Sequence, residues 1–194
     1  MNQKDYTAFT NDWNGKTSTL ISDVGVSLPF NPKIDTPGSH PTVKQYNAIW
    51  DTGATGSVVT KDVALALGLK PISKTEVHGV GGTKVENVYL VNIYLPNKVA
   101  LHHVRVTECE KLTGDGMGVL IGMDIIGTGD FAVTHVDEKT KMSFRIPSIR
   151  SIDFVKEAER DKAEREKKHS ALNKKELREK HRKERKNKKK GRKK

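Results

Sequence analysis

The sequence predicts an all-β fold: a closed barrel of short strands with one projecting hairpin and short helices, followed by a charged C-terminal tail that is helical or disordered. Three observations point to it. Between residues 17 and 150, runs rich in Val, Ile, Thr and Tyr are broken roughly every 8 to 12 residues by Gly, Pro, Asn and Asp, the spacing of sandwiches and barrels. Charge is unevenly divided: residues 1–150 carry 15 Lys+Arg against 15 Asp+Glu, while residues 151–194 carry 20 against 9, which is the whole net charge of +11. Finally, the apolar run Ala48-Ile49-Trp50 ends on a lone acid among glycines, Asp51-Thr52-Gly53-Ala54-Thr55-Gly56. The chain therefore divides into an N-terminal arm (1–16), a barrel domain (17–150) and a basic tail (151–194).

Taken in order, residues 1–16 are polar, with Asn14-Gly15 as a turn signal and Trp13 as an anchor, and read as a loose arm. Residues 17–28 form the first strand. Pro29, Pro32, Pro37, Gly38 and Pro41 exclude regular structure from the next segment, a long loop. Residues 43–50 are the strand that feeds Asp51. Thr60 then starts a short helix that closes on Gly68. Residues 72–78 and 84–95 are two strands around the glycine tip Gly79-Val80-Gly81-Gly82, a hairpin. With no helix pattern after the tip and no Gly-Lys-Ser/Thr, this is not a phosphate loop. Residues 98–107 form a strand on which His102 and His103 point to opposite faces, so the pair is not read as a metal site. Residues 119–121 are a buried strand and 123–126 a short helix, with Asp124 read as its cap. The final hairpin, 131–136 with 141–146, turns at Asp137-Glu138-Lys139.

In the tail, acid-before-base pairs four apart, such as Asp161/Arg165 and Glu176/Lys180, give a solvated helix a few tenths of a kcal/mol each. Its apolar residues hold no heptad, which argues against a coiled coil. The lone Cys109 implies no intramolecular disulfide, and it leaves thiolate metal sites without ligands. The first residues lack the apolar core of a secretory signal, and no run reaches the roughly 18 apolar residues of a membrane span. The expectation is a soluble, cytoplasmic protein with no membrane association and no cofactor.

Asp-Thr-Gly alone is a common turn tripeptide. Here it is followed by a second apolar-apolar-glycine stretch, Leu120-Ile121-Gly122, with the glycine-rich hairpin tip between them. In combination and order, over roughly residues 17–147, these marks resemble the retropepsin-like aspartic proteases. The resemblance implies a peptide or protein substrate, Asp51 as the catalytic residue, and His78, Gly79, Val80, Gly81 and Gly82 as a mobile flap that closes over it. It implies that Thr52 hydrogen-bonds across a dimer interface, that the Gly53 amide supports the carboxylate, and that Ser57 braces the loop behind Ala54. Leu120, Ile121 and Gly122 would pack against that loop. Two departures from the family pattern stand out. Met123 occupies the place where retroviral members put an arginine, and the loop between the first two strands is longer.

Peptide hydrolysis by carboxylates needs one group to activate water and another to protonate the carbonyl oxygen. Two carboxyls a few ångströms apart divide these roles, because both cannot ionise at once. The chain has one Asp-Thr-Gly, so the second acid must come from another copy, and the leading reading is an endopeptidase active as a homodimer. The alternatives are a non-catalytic binding module on the same fold, or a dimeric platform for a tail that binds nucleic acid or another polyanion through residues 151–194 without sequence preference. An intact Asp-Thr-Gly argues against the first. Only the tail's charge supports the second, as no zinc-knuckle spacing or aromatic stacking pattern accompanies it.

Overall fold

The computed structural model describes residues 5–191 apart from 32, 34, 36–39, 80, 81 and 115, and separates residues 1–149 from residues 150–194. In the first unit, seven strands form one sheet: β2 (Ile21–Ser27), β3 (Lys44–Trp50), β4 (Val58–Thr60), β5 (Ser73–Gly79), β6 (Gly82–Tyr94), β7 (Ala100–Cys109) and β8 (Met117–Ile121). Their order is β2-β3-β8-β4-β7-β6-β5, and β2 also pairs with β6. That pairing closes six strands into a barrel and leaves β5 outside it, joined to β6 as a hairpin arm. Two contacts in the ring, β3 with β8 and β4 with β7, are parallel.

Alternation of side chains explains the filling. Val24 and Val26 of β2, Ala48 and Trp50 of β3, Tyr89, Val91 and Ile93 of β6, Val106 of β7, and Val119 and Ile121 of β8 all point into one core. Each branched residue removed from water there contributes about 1.5–3 kcal/mol. The Trp50 indole N–H, buried with its ring, donates to Ser22 Oγ at 2.9 Å. Between β4 and β5, helix α1 (Lys61–Leu67) starts at Thr60, whose hydroxyl accepts the Val63 amide, and stops at Gly68 in the left-handed region (φ 62°). Both caps are as the sequence predicts.

The second sheet corrects an expectation. Residues 1–16 read as a loose arm, yet Thr7–Asp12 forms β1, paired with β10 (Lys141–Ile146), which also pairs with β9 (Asp130–Thr134), in the order β1-β10-β9. Phe9 and Phe144 face each other across β1 and β10, and Phe9, Phe131 and Phe144 surround Trp50 at centroid distances of 5.6, 5.7 and 5.1 Å. This aromatic cluster gives an otherwise polar segment its place. The strand predicted over 17–28 is shorter for a related reason: Thr17 donates its amide to the Thr140 hydroxyl and its own hydroxyl to the Thr19 carbonyl, a turn that delays β2 to Ile21. The last hairpin turns through Asp137 (φ 52°) and Glu138 (φ 60°).

The long loop after β2 is fastened through Phe30. Its ring is buried, and its carbonyl accepts Asn92 Nδ2 at 2.6 Å and His102 Nδ1 at 2.8 Å. Asn92, fully buried, accepts the His103 amide at 3.0 Å through its other atom, so its polar groups are satisfied.

At the end of the first unit, donors to Asp130 include the Ser148 hydroxyl at 2.5 Å, Arg145 Nε at 2.6 Å and the Ile149 amide at 3.1 Å. Led by the Ser148 hydroxyl, and against the opposing effect of burial, these hold its carboxyl down at about 2. A group depressed in the folded state adds stability above its ordinary range, and that stability is lost as pH falls toward the folded value. Asp130→Asn is therefore expected to cost about 1–3 kcal/mol at neutral pH. The two proteins should converge in stability between pH 4 and about 2, as measured by urea unfolding at stepped pH.

The second unit consists of α3 (Phe154–Gly191), whose first amides, Val155 and Lys156, are accepted by Asp153 Oδ1. Among the described residues, no helix is long and apolar enough to cross a membrane.

Candidate active site

β3 delivers Asp51 to the edge of the barrel core, and its amide makes one last bond to the Ile121 carbonyl at 3.0 Å, continuing the parallel pairing with β8. The chain then folds back sharply. The Gly53 amide donates to Asp51 Oδ1 at 2.8 Å, and the Ala54 amide to the Asp51 carbonyl at 3.3 Å. Asp51 and Ala54 are half-buried, while Thr52 and Gly53 lie on the exposed side of the turn.

The wall behind this loop is the end of β8 and the start of α2 (Met123–Ile126). Met123 donates its amide to the Ala54 carbonyl at 2.8 Å and Asp124 its amide to the Thr55 carbonyl at 3.2 Å. Gly122 lies against the loop so closely that a Cβ there would sit 2.6 Å from the carbonyl carbon and oxygen of Gly56. Ile121 is fully buried and Leu120 half-buried beneath it. Ser57, also buried, bridges the two layers: its hydroxyl accepts the Gly122 amide at 3.1 Å and donates to Asp124 Oδ1 at 2.8 Å. The loop is thus fastened to β8 and α2 by four bonds and a steric fit.

Asp124 is not the helix cap predicted. Gly122 occupies the N-cap position without a side-chain bond, and Asp124 lies in the first turn, where its carboxylate takes the Ser57 hydroxyl and the Ile125 amide at 3.0 Å. A carboxylate at the start of an apolar helix looks the same in sequence whichever donor it receives. Its link to Ser57 is the site contact that sequence reasoning missed. It also occupies Asp124 with these donors, leaving Asp51 as the acid on the open loop.

In the hairpin, β5 and β6 pair from Ser73↔Val88 to Gly79↔Gly82. His78 and Thr83 face each other near its end, Nδ1 to Oγ1 at 2.9 Å, and both are exposed. Gly82 has φ 98°, a conformation that glycine supplies without strain. Val80 and Gly81, named above as flap residues, lie outside the described residues.

A strand ending in an acid, a tight turn that aims its amide at that acid, and an apolar-apolar-glycine wall behind the turn form one assembled unit. Residues 38–125 match the family model for aspartyl proteases. The retropepsin-like character read from the motifs is thus supported. Among solved structures, the chain is similar to the EIAV protease complexed with the inhibitor HBY-793, with 20% identity over 59% of this chain and 90% of that one and a TM-score of 0.40. It is also similar to a retropepsin-like aspartic protease from Rickettsia conorii (11% identity, 75% and 99% covered, TM-score 0.44). A third is the retroviral protease-like domain of Ddi1 from Leishmania major (14%, 71% and 99%, TM-score 0.38). Among curated proteins, none matches the chain.

Proposed function

We propose that the protein is an aspartic endopeptidase active as a homodimer, in which Asp51 of each copy supplies one carboxyl. The observation that carries this reading is the single Asp51 loop, tied to β8 and α2 by backbone bonds and by Ser57. Rigid mounting matters to a pair of acids that must share one proton across an interface, because misplacement by about 1 Å can cost 10²-fold in rate. In the reaction, one carboxylate takes a proton from water while the other, protonated, gives its proton to the peptide carbonyl. The water oxygen bonds to the carbonyl carbon; as the adduct collapses, the carboxyl that took the water proton gives it to the leaving nitrogen, the other carboxylate takes back a hydroxyl proton as the carbonyl re-forms, and the C–N bond breaks. The substrate would lie as an extended strand beneath the β5–β6 hairpin, its backbone meeting the hairpin's amides.

Cys109 offers no rival nucleophile: burial, then Glu86, Glu108 and Glu110, push its thiol up to about 11. A lone unreactive thiol suits a reducing, cytoplasmic setting. The test is to incubate the full chain with a peptide library, with and without an aspartic-protease inhibitor, over a dilution series. Cleavage that the inhibitor stops, with specific activity falling as dimers dissociate, is the expected result. No cleavage, or activity proportional to concentration through the dissociation range, would defeat it.

We propose further that the tail binds polyanions. In Arg185–Lys194, eight of ten residues are cations and none is an acid. If roughly six to eight cations engage duplex DNA, log affinity should fall with log salt at a slope of about −5 to −7. Two unrelated duplexes should bind alike, and deleting residues 151–194 should abolish binding. Affinity that ignores salt or survives the truncation would count against the tail.

A further inference from the structure

Ser57 is the point where the Asp51 loop meets three elements at once. Its carbonyl accepts the Thr107 amide of β7 at 3.1 Å, its hydroxyl oxygen accepts the Gly122 amide at the end of β8 at 3.1 Å, and its hydroxyl proton goes to Asp124 Oδ1 of α2 at 2.8 Å. The residue is 1% exposed, so a lost partner leaves a buried polar group unpaired. A hydroxyl has one proton, and it rotates to suit its surroundings, whereas a carboxylate only accepts. Asp124 therefore draws the proton to its own side and turns the lone pairs of Ser57 toward the Gly122 amide. Among the described residues no other side chain bonds to this hydroxyl.

Asp124 grips the loop a second time, because its amide donates to the Thr55 carbonyl at 3.2 Å. Between the two grips lies Gly56, where a Cβ would meet nothing within 4 Å, so this link of the loop has open space on one side. Asp124 spans it. The Ile125 amide, donating to the same Oδ1 at 3.0 Å, fixes the direction of the carboxylate. From there the bonds run on to the acid: Met123 holds the Ala54 carbonyl, and the Ala54 amide holds the Asp51 carbonyl. We infer that Asp124 is a positioning residue for Asp51, a clamp across Gly56 that orients the Ser57 hydroxyl and so keeps the acid in place. It acts through Ser57 and not on substrate. The inference rests on the reading of Asp51 as the catalytic residue.

In the full-length protein, Asp124→Ala should lower kcat about 10-fold with KM nearly unchanged, since a displaced acid loses alignment while the other contacts to substrate survive. Asp124→Asn keeps an oxygen for both donors and should restore most of kcat. Ser57→Ala should cost at least as much as Asp124→Ala, and the double variant no more than Ser57→Ala alone, because residues that act as a unit are not additive. A second readout needs no cleavage: hydrogen exchange at the Gly122 amide should be about 10-fold faster in Asp124→Ala and like wild type in Asp124→Asn. Should Asp124→Ala fail to fold, Asp124→Glu is read in its place. It keeps the charge but moves the oxygens by one methylene, and it should show the same loss of kcat and the same faster exchange. A lowered melting temperature with kcat intact in the folded protein would leave Asp124 merely structural and overturn the inference. So would an asparagine variant as impaired as the alanine one, additive losses in the double variant, or unchanged Gly122 exchange. If the wild type cleaves no peptide, faster Gly122 exchange in Asp124→Ala alone would uphold the clamp while defeating the proteolytic reading.

Discussion

Asp51→Asn is expected to reduce peptide cleavage by at least about 10³-fold while leaving the barrel folded. The asparagine carbonyl can still accept the Gly53 amide that now donates to Asp51 Oδ1 at 2.8 Å, so the turn keeps its internal bond. The side chain is half-buried at the end of β3 and carries no share of the aromatic core, so the melting temperature should move little. The titratable oxygen acid is lost, and with it both the base that activates water and the shared proton. General acid–base catalysis is worth about 10²–10⁴-fold, and both of its halves are removed together. The variant should also poison the wild type: in large excess it draws nearly every wild-type subunit into a mixed pair with one carboxyl. The measurements are kcat on a cleaved peptide and a thermal melt, with a titration of variant into wild type. Retained turnover in the variant would remove Asp51 from the chemistry. Full activity in the mixture would show that a single chain completes its own site.

The features readable from sequence were those whose cause is local. Thr60 and Gly68 bound α1 because a hydroxyl acceptor and a left-handed residue act on the nearest turn of backbone. The β5–β6 hairpin follows from two β-rich runs around glycines. What escaped was set by distant partners. Phe9 is the one aromatic of Thr7–Asp12, and its partners Phe144 and Trp50, with the β10 backbone that pairs with this segment, lie far along the chain. Alternation announces β2, β3 and β8 as strands, but it does not say that β3 pairs in parallel with β8, or that β2 turns to β6 and closes the ring. The long proline-rich loop gave no sign that Phe30 anchors it, because its partners, Asn92 and His102, lie on strands 62 and 72 residues away. At the site, Asp51 and the Gly122 wall were legible as motifs. The bond from Ser57 to Asp124 was not, since nothing local separates it from an ordinary helix cap.

Gly122→Ala should be the most damaging small change near the site. The backbone at Gly122 has φ −97°, which any residue adopts, so the effect is one of space rather than conformation. An added methyl would lie 2.6 Å from the carbonyl carbon and oxygen of Gly56 and 3.0 Å from the Ala54 carbonyl oxygen. These are backbone atoms and cannot swing aside. The loop cannot withdraw without stretching the bonds from Met123 to the Ala54 carbonyl and from Asp124 to that of Thr55, nor can Gly122 retreat without leaving Ser57 Oγ. Overpacking of this kind costs about 1–3 kcal/mol, and each strained hydrogen bond adds about 0.5–1.5. A total near 3 kcal/mol would lower the melting temperature by about 6–12 °C in a unit of this size. Because the displaced loop carries Asp51, kcat should fall about 10²-fold even in the fraction that stays folded. Gly56→Ala is the control: it alters the same loop, but its Cβ would meet nothing within 4 Å, so stability should stay within about 0.5 kcal/mol of wild type. Equal melting and turnover in the two variants would mean that the wall behind the loop does not hold the acid in place.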